Sequence, residues 1–269
     1  MSKRSKKKKR VLRVLSIDYD FFQTADMQTL MTCYPDGRDL PTPLSCAVWS
    51  GHYAVPETRE KLLSVKIDQS LLKQMQTILL GACYRKQFNS MVTNSHKHIY
   101  KFIKDEYFGI PASGEDGHSG RYDHLELVNV DMHHDMFNSN PEPDCGNWVR
   151  HIMEEIPTEL TWIANPVSKE AYGLDDPQFN IIENSLDCLT GKCWDLIFLC
   201  RSDNWTPPHL DEGFRQLAHI LLEYSSTCRY EQSVLESRYE DSGFQAQIAA
   251  TRSVIDQTGN DIERRQCGK

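Results

Sequence analysis

The chain has 269 residues, 39% hydrophobic and 25% charged, proportions that supply a sizeable core and exclude a chiefly disordered protein. Its net charge is −8 even though Ser2–Arg10 is almost wholly basic, so the body is acidic, which argues against general nucleic-acid binding and suits a cationic partner. No stretch is long and apolar enough for a transmembrane helix, no signal-type apolar segment follows the basic start, and the nine scattered cysteines form no CxxC pair; a cytoplasmic protein with free thiols is expected.

Residues 1–10 read as a solvated basic tail, 11–225 as one α/β domain, and 226–269 as a polar extension with weak helical character around Gln245–Val254. Val11–Ile17 is a strand that delivers Asp18 and Asp20, two carboxylates that leave a strand on the same side. Residues 23–58 look irregular, with Pro35-Asp36-Gly37 as a turn and Pro41, Pro43 and Pro56 as breakers, and such a segment is often a binding loop or lid. Trp49 there reads as packed and His52 as a surface residue. Ile67–Gln87 is the clearest helix, with Asp68 at its start and an apolar stripe of Leu71, Leu72, Met75, Ile78, Leu79 and Ala82. A short strand from Asn89 then leads to His96, just before a helix over 99–107. His118 lies in the Gly-rich loop that follows.

Leu127-Val128-Asn129-Val130 has the unbroken apolar character of a buried parallel strand. It runs into Asp131-Met132-His133-His134-Asp135, with carboxylate, imidazole and carboxylate at every second residue. Beyond it, Cys145-Gly146-Asn147-Trp148 introduces a helix over 149–155. Leu160–Ala164 and Phe179–Ile182 are strand candidates, the latter weaker. Trp194–Cys200 is a strong buried strand that delivers Arg201, Ser202 and Asp203, and Glu212–Tyr224 is an amphipathic helix. Strands alternating with helices predict a three-layer α/β/α domain with a mainly parallel sheet. The site is expected outside the carboxyl ends of its strands.

Four carboxylates and one imidazole exceed what a single zinc needs and suit two divalent ions. A sixth ligand is expected from an imidazole at a strand-to-helix turn. His96 fits that place best, and His118 is its competitor.

Asp131-Met132-His133-His134-Asp135 resembles the Asp-x-His-x-Asp metal motif of the arginase/deacetylase superfamily, and Ser16-Ile17-Asp18-Tyr19-Asp20 resembles the Ser-x-Asp-x-Asp motif of its arginases and agmatinases. Their order is reversed here, Phe21-Phe22 replaces the usual Asp-Pro, and the Gly-Gly-Asp-His of the first histidine is absent at His96. With Cys145–Trp148, this order is similar to the peptide arginases, a rearranged branch that converts arginine in ribosomally made peptides to ornithine. The likeness covers Val11 to Trp148.

The resemblance implies an arginase/deacetylase-like fold and two Mn2+ per chain, held by Asp18, Asp20, His96, Asp131, His133 and Asp135. It implies hydrolysis of an arginine-containing precursor peptide to ornithine and urea. His133, Asp135 and Asp203 are then expected to carry the chemistry, Asn147 and Trp148 to contact substrate, and Asp203 to orient the guanidinium, with Glu57 and Glu183 as weaker candidates. Membrane and nucleic acid are not expected partners, and a homo-oligomer stays open. Four other readings stand beside it. Asp18 and Asp20 fit a haloacid-dehalogenase-like phosphatase, and His134-Asp135 superficially matches the HD phosphohydrolases. A single-zinc deacetylase and a non-catalytic metal- or peptide-binding module are the remaining two.

Overall fold

The computed structural model describes residues 9–35, 39–109, 121–137, 140–172 and 180–267, and of 258–267 the backbone only. Along the chain come β1 (Val11–Asp18), α1 (Met27–Cys33), α2 (Thr42–Ala54), α3 (Pro56–Ser64), α4 (Gln69–Arg85), β2 (Asn89–Thr93), α5 (His98–Phe108) and β3 (His124–Asp131). Then follow α6 (Trp148–Glu155), β4 (Thr158–Ala164), α7 (Pro166–Tyr172), β5 (Asn180–Glu183), β6 (Leu196–Cys200), α8 (Asp211–Tyr224), β7 (Thr227–Tyr230) and α9 (Ser242–Cys267). The strands form one sheet in the order β5-β4-β3-β1-β6-β2-β7, and every pairing is parallel.

The central strands are mostly apolar because both faces of the sheet are covered, with Ser16 and Asn129 the buried polar residues inside β1 and β3. In β1 only Val11 and Arg13 keep partial exposure, and in β3 only His124 and Glu126. Alternate residues of β1 serve opposite faces. Leu12 and Val14 pack with Phe102 of α5 and Ile152 of α6, whereas Leu15 and Ile17 belong to the core that holds Leu72 of α4 and Leu217 of α8. Helices therefore lie on both faces. Helix α4 starts where Asp68 accepts from the backbone N–H groups of Ser70 and Leu71, satisfying donors the first turn leaves open.

Two features place the site. First, the registers align the strand ends: Ile17 pairs with Val130, and Cys200 pairs with both Asp18 and Thr93. The residues just past β1, β3, β6 and β2 therefore emerge side by side. Second, β1 and β3 are neighbours whose connections leave in opposite directions, β1 toward β2 and β3 toward β4. That is a topological switch point, where a crevice opens at the carboxyl edge.

Three expectations need correction. Residues 23–58 are not an irregular lid, since α1, α2 and the start of α3 lie there. The prolines that look like breakers open helices instead, Pro43 in the first turn of α2 and Pro56 at the first position of α3, where a missing N–H costs nothing. Pro166 likewise ends β4 and begins α7. Nor is 226–269 an appendage: β7 pairs with β2 as the edge strand, while Val234, Phe244 and Ile248 join the main core. His118, residues 1–8 of the basic tail and Asp36-Gly37 of the expected turn lie outside the described residues.

Candidate metal centre

Six expected ligands meet at the carboxyl edge. His96, in the turn between β2 and α5, points Nδ1 at three carboxylates: Asp18 Oδ2 at 3.1 Å, Asp131 Oδ2 at 3.2 Å and Asp135 Oδ2 at 3.1 Å. His133 points Nδ1 at Asp20 Oδ2, 3.1 Å away, and at Asp131 Oδ1, 3.5 Å away. Asp131 thus offers one oxygen to each imidazole. Two groups, Asp18/His96/Asp131 and Asp20/Asp131/His133, each bring their ligand atoms within 4.8 Å of one another. The six residues are at most 8% exposed.

Local backbone geometry aims these groups. Asp20 sits in the tight turn Tyr19–Phe22 that β1 runs into, and its amide donates to Asp18 Oδ1. The amide of His133 donates to Asp131 Oδ1 at 2.7 Å. Asp135 adopts a left-handed φ of 52°, which an Asp tolerates better than most residues. Ser202 does so at φ 56°, a conformation that costs on the order of 1–3 kcal/mol and persists only where the surroundings impose it.

A further layer holds the cluster. Ser202 Oγ donates to Asp18 Oδ2 at 2.8 Å, Trp148 Nε1 to Asp135 Oδ2 at 2.5 Å, and Asn129 Nδ2 to Asp131 Oδ2 at 3.2 Å. Ser16 Oγ lies 2.7 Å from His96 Nε2. This leaves the other ring nitrogen of His96 facing the carboxylates, as a ligating imidazole requires.

The buried carboxyls and imidazoles shift one another's titration. Burial, and then the charge of Asp131, raises the carboxyls of Asp18 and Asp135 above their ordinary range. Burial followed by the charges of Asp18 and Asp131 pushes Asp20 up to about 8. For Asp131 burial acts upward too, but hydrogen bonds from His133 and His96 win and hold it below the usual range. Burial would lower both imidazoles, yet their carboxylate neighbours raise them well above the ordinary value. Asp20 Oδ2 and His96 Nδ1 are wholly buried without a properly oriented hydrogen-bond partner. Buried polar atoms normally have one. Divalent ions would satisfy both atoms and neutralise the carboxylates, and oxygen donors with one imidazole per group suit Mn2+ or a similar ion.

The cluster opens into a cavity of about 480 Å³ reached by Asp18, His96, His133 and Asp135. Its other walls include Asp39, Lys97, Phe137, Asp144, Cys145, Ser202 and Trp205. Asp39 is engaged, among the described residues, through Oδ2 alone, by Lys97 Nζ at 3.0 Å and Ser95 Oγ at 2.7 Å. Among the described residues Asp144 has only Oδ1 engaged, by the Gly146 amide at 3.0 Å. The Trp205 ring lies 4.5 Å from that of His133. The cavity is electronegative. Burial, and then Asp39, Asp135 and Asp144, drive the Cys145 thiol far above its usual range and keep it neutral.

Other expected site residues do different work. Asp203 is buried in an ion pair with Arg201, accepting from Nε at 2.6 Å and Nη2 at 3.2 Å, and also from Thr42 Oγ1 at 2.6 Å. Despite burial, Arg238 and Arg201 hold its carboxyl below the ordinary range. It has no oxygen left to orient a guanidinium. Asn147 is also fully used: Oδ1 accepts from the Asp144 amide, and Nδ2 donates to the carbonyls of Asn140 and Glu142. It shapes the loop and does not face substrate. Trp148 is buried against His96 and steadies Asp135, so it is not a wall of the open cavity. Glu57 and Glu183 are exposed and do not line the cavity. The ring of His134 packs against Phe137, Trp162 and Tyr172, outside the cluster, which removes the basis of the HD resemblance.

Trp205, Asp39 and Asp144 were not singled out from sequence, and Ser202 was placed only as a residue delivered by the strand Trp194–Cys200, without a role.

Fold and site together define an all-parallel α/β protein with a candidate two-ion centre at its switch point. No family model, curated protein or solved structure matches the chain.

Proposed function

We propose that the protein is a binuclear metal hydrolase of the arginase type that acts on the guanidinium of arginine within a peptide. One observation carries the reading: Asp131 is shared between two His-containing groups of ligands, each completed by a carboxylate from the end of β1. A single-zinc deacetylase would leave Asp20 and its contact with His133 without purpose. A phosphatase built on Asp18 would leave both imidazoles and the Asp131/Asp135 pair unexplained.

Asp18, His96, Asp131 and Asp135 would hold one ion, and Asp20, Asp131 and His133 the other. Bound there, a pair of divalent ions would supply a water nucleophile near neutral pH and a template for the group under attack. The chain's own residues do the rest. The acidic cavity draws in a cation. Asp144 replaces Asp203 as the carboxylate that orients it: among the described residues its second oxygen is uncommitted, whereas Asp39 in the same cavity already pairs with Lys97, and a carboxylate can take a guanidinium in a paired hydrogen bond. Phe137 and Trp205 line the same space, aromatic surface of the kind a planar cation packs against.

The test is incubation of the full chain with Mn2+ and an arginine-containing peptide, followed by mass spectrometry. Conversion to ornithine lowers the peptide mass by about 42 Da, the loss expected of metal-assisted guanidinium hydrolysis, with urea released in equal amount. Turnover of free arginine alone would reduce the reading to a small-molecule ureohydrolase. Aryl-phosphate cleavage lost in Asp18→Asn, without urea, would replace it by a phosphatase.

A further inference from the structure

The loop after β6, residues 201–206, touches the candidate metal centre with one side and the C-terminal segment with the other. On its inner side Ser202 Oγ bonds Asp18, and Trp205 lies against His133. On its outer side the guanidinium of Arg238 donates to the carbonyl of Asp203 at 2.8 Å and to that of Thr206 at 2.9 Å. The same guanidinium is anchored on Asp211, at the start of α8, with contacts of 2.6 and 3.0 Å. Arg201 ties the loop back again, donating to the carbonyls of Val234 and Glu236 at 3.0 and 3.1 Å. Arg201, Asp203, Asp211 and Arg238 are all at most 4% exposed.

Four buried charges are a poor way to gain stability, since apolar residues of similar volume often do as well. They do fix geometry. A guanidinium is a planar fork of directed donors, and here it grips two backbone carbonyls of the loop that holds Ser202 in its left-handed conformation.

We infer that Arg238 is a positioning residue of the metal centre: it holds loop 201–206 from behind, so that Ser202 stays on Asp18 and Trp205 on His133. The C-terminal segment is then a working part of the site, through Arg238, thirty-five residues beyond Asp203, whose backbone carbonyl accepts from it. The inference rests on the metal-centre reading above, but concerns which residues tune that centre and not which reaction it performs.

The experiment uses the full-length chain, stripped of metal, and titrates it with Mn2+ alone by calorimetry. The variants are Arg238→Lys, Ser202→Ala and the two combined, with hydrogen exchange of segment 200–206 read in parallel. Arg238→Lys and Ser202→Ala are each expected to weaken Mn2+ binding roughly 10- to 100-fold, the usual effect of losing support behind a ligand. The combined variant should lose clearly less than the two single losses multiplied together, because Arg238 acts in part through Ser202. Exchange in 200–206 should quicken in Arg238→Lys. A merely structural role would lower thermal stability without this non-additive effect on affinity. Should Arg238→Lys fail to fold, Asp211→Asn, which loosens the anchor with an amide of the same size, is expected to weaken binding likewise.

Wild-type chain binding two ions beside an Arg238→Lys of unchanged affinity would overturn this inference alone, as would fully additive losses or an Asp211→Asn that binds like wild type. A wild-type chain that binds no divalent ion would overturn the metal reading and this inference with it.

Discussion

Asp131 is the carboxylate whose loss should reach furthest, because its two oxygens face different imidazoles. Asp131→Ala is expected to lose both ions. Asp20→Ala should lose only the ion on the His133 side, because Asp20 contacts that imidazole and not His96. Elemental analysis per chain after manganese loading separates the outcomes, and two ions retained by Asp20→Ala would remove it from the ligand set. Asp144 and Asp203 should part company in the same way. Asp144→Asn is expected to raise KM for an arginine peptide roughly 10- to 100-fold, the worth of one hydrogen bond to a charged group, with metal content unchanged. Asp203→Asn should instead cost stability. It strips one charge from the buried cluster of Arg201, Arg238, Asp203 and Asp211 and leaves two guanidinium groups on the single carboxylate of Asp211, typically a loss of about 3–5 kcal/mol. Urea unfolding measures that loss, and substrate preference should not move.

At the scale of elements, the telling case is the stretch after α8. Strand β7 closes one edge of the sheet, and Val234, Phe244 and Ile248 beyond it are buried. Each such side chain contributes about 1.5–3 kcal/mol when fully covered. Their sum approaches the roughly 5–15 kcal/mol that keeps a domain folded, before Arg238 is considered. A chain truncated after Ser225 is therefore expected to lose cooperative unfolding altogether. A truncated protein with a sharp calorimetric transition would show that these elements are accessory. Helix α2 makes a related point, since Trp49 Nε1 and Ser45 Oγ both donate to the carbonyl of Asp203. The segment that looks like a lid is instead a buttress of the loop beside the site.

For the whole molecule, the acidic centre couples folding to pH. Asp20 is pushed up to about 8, chiefly by burial, while an Asp in the unfolded chain releases its proton near pH 4. Asp18, Asp135 and both imidazoles are raised as well. Between these limits the metal-free fold binds more protons than the unfolded chain, so its stability falls as pH rises. The depressed Asp131 acts oppositely, but only below about pH 4, where its unfolded form titrates. Metal-free protein is thus expected to melt at lower temperature at pH 8 than at pH 5, and Mn2+ should reverse the trend by displacing the protons. At a free concentration 100 times Kd the ion adds about 2.7 kcal/mol for each independent site. Calorimetry with and without the ion checks both signs; a metal-free chain that is more stable at pH 8 would contradict the electrostatic account.

The sequence by itself determined those parts whose physics is local. A parallel strand buried on both faces is apolar over most of its length, so β1, β3 and β6 could be read directly. The 3.6-residue stripe of α4 and α8 survives because each of these helices has one buried side. The alternation Asp131, His133, Asp135 marks a strand end that carries candidate ligands, and the same spacing marks Asp18 and Asp20. Tertiary structure decided what depends on partners far along the chain. Strand β7 is short and polar because only its backbone is needed at the sheet edge, and nothing in its composition says so. Asp203 and Ser202 leave the same strand one residue apart. Arg201 and Arg238 claim the first, and a left-handed turn swings the second onto Asp18. Asn147 was drawn inward by the carbonyls of its own loop. The sharing of Asp131 follows from the register of β1 on β3, which sets Asp18 beside it. Register is a property of two paired strands, and no single segment contains it.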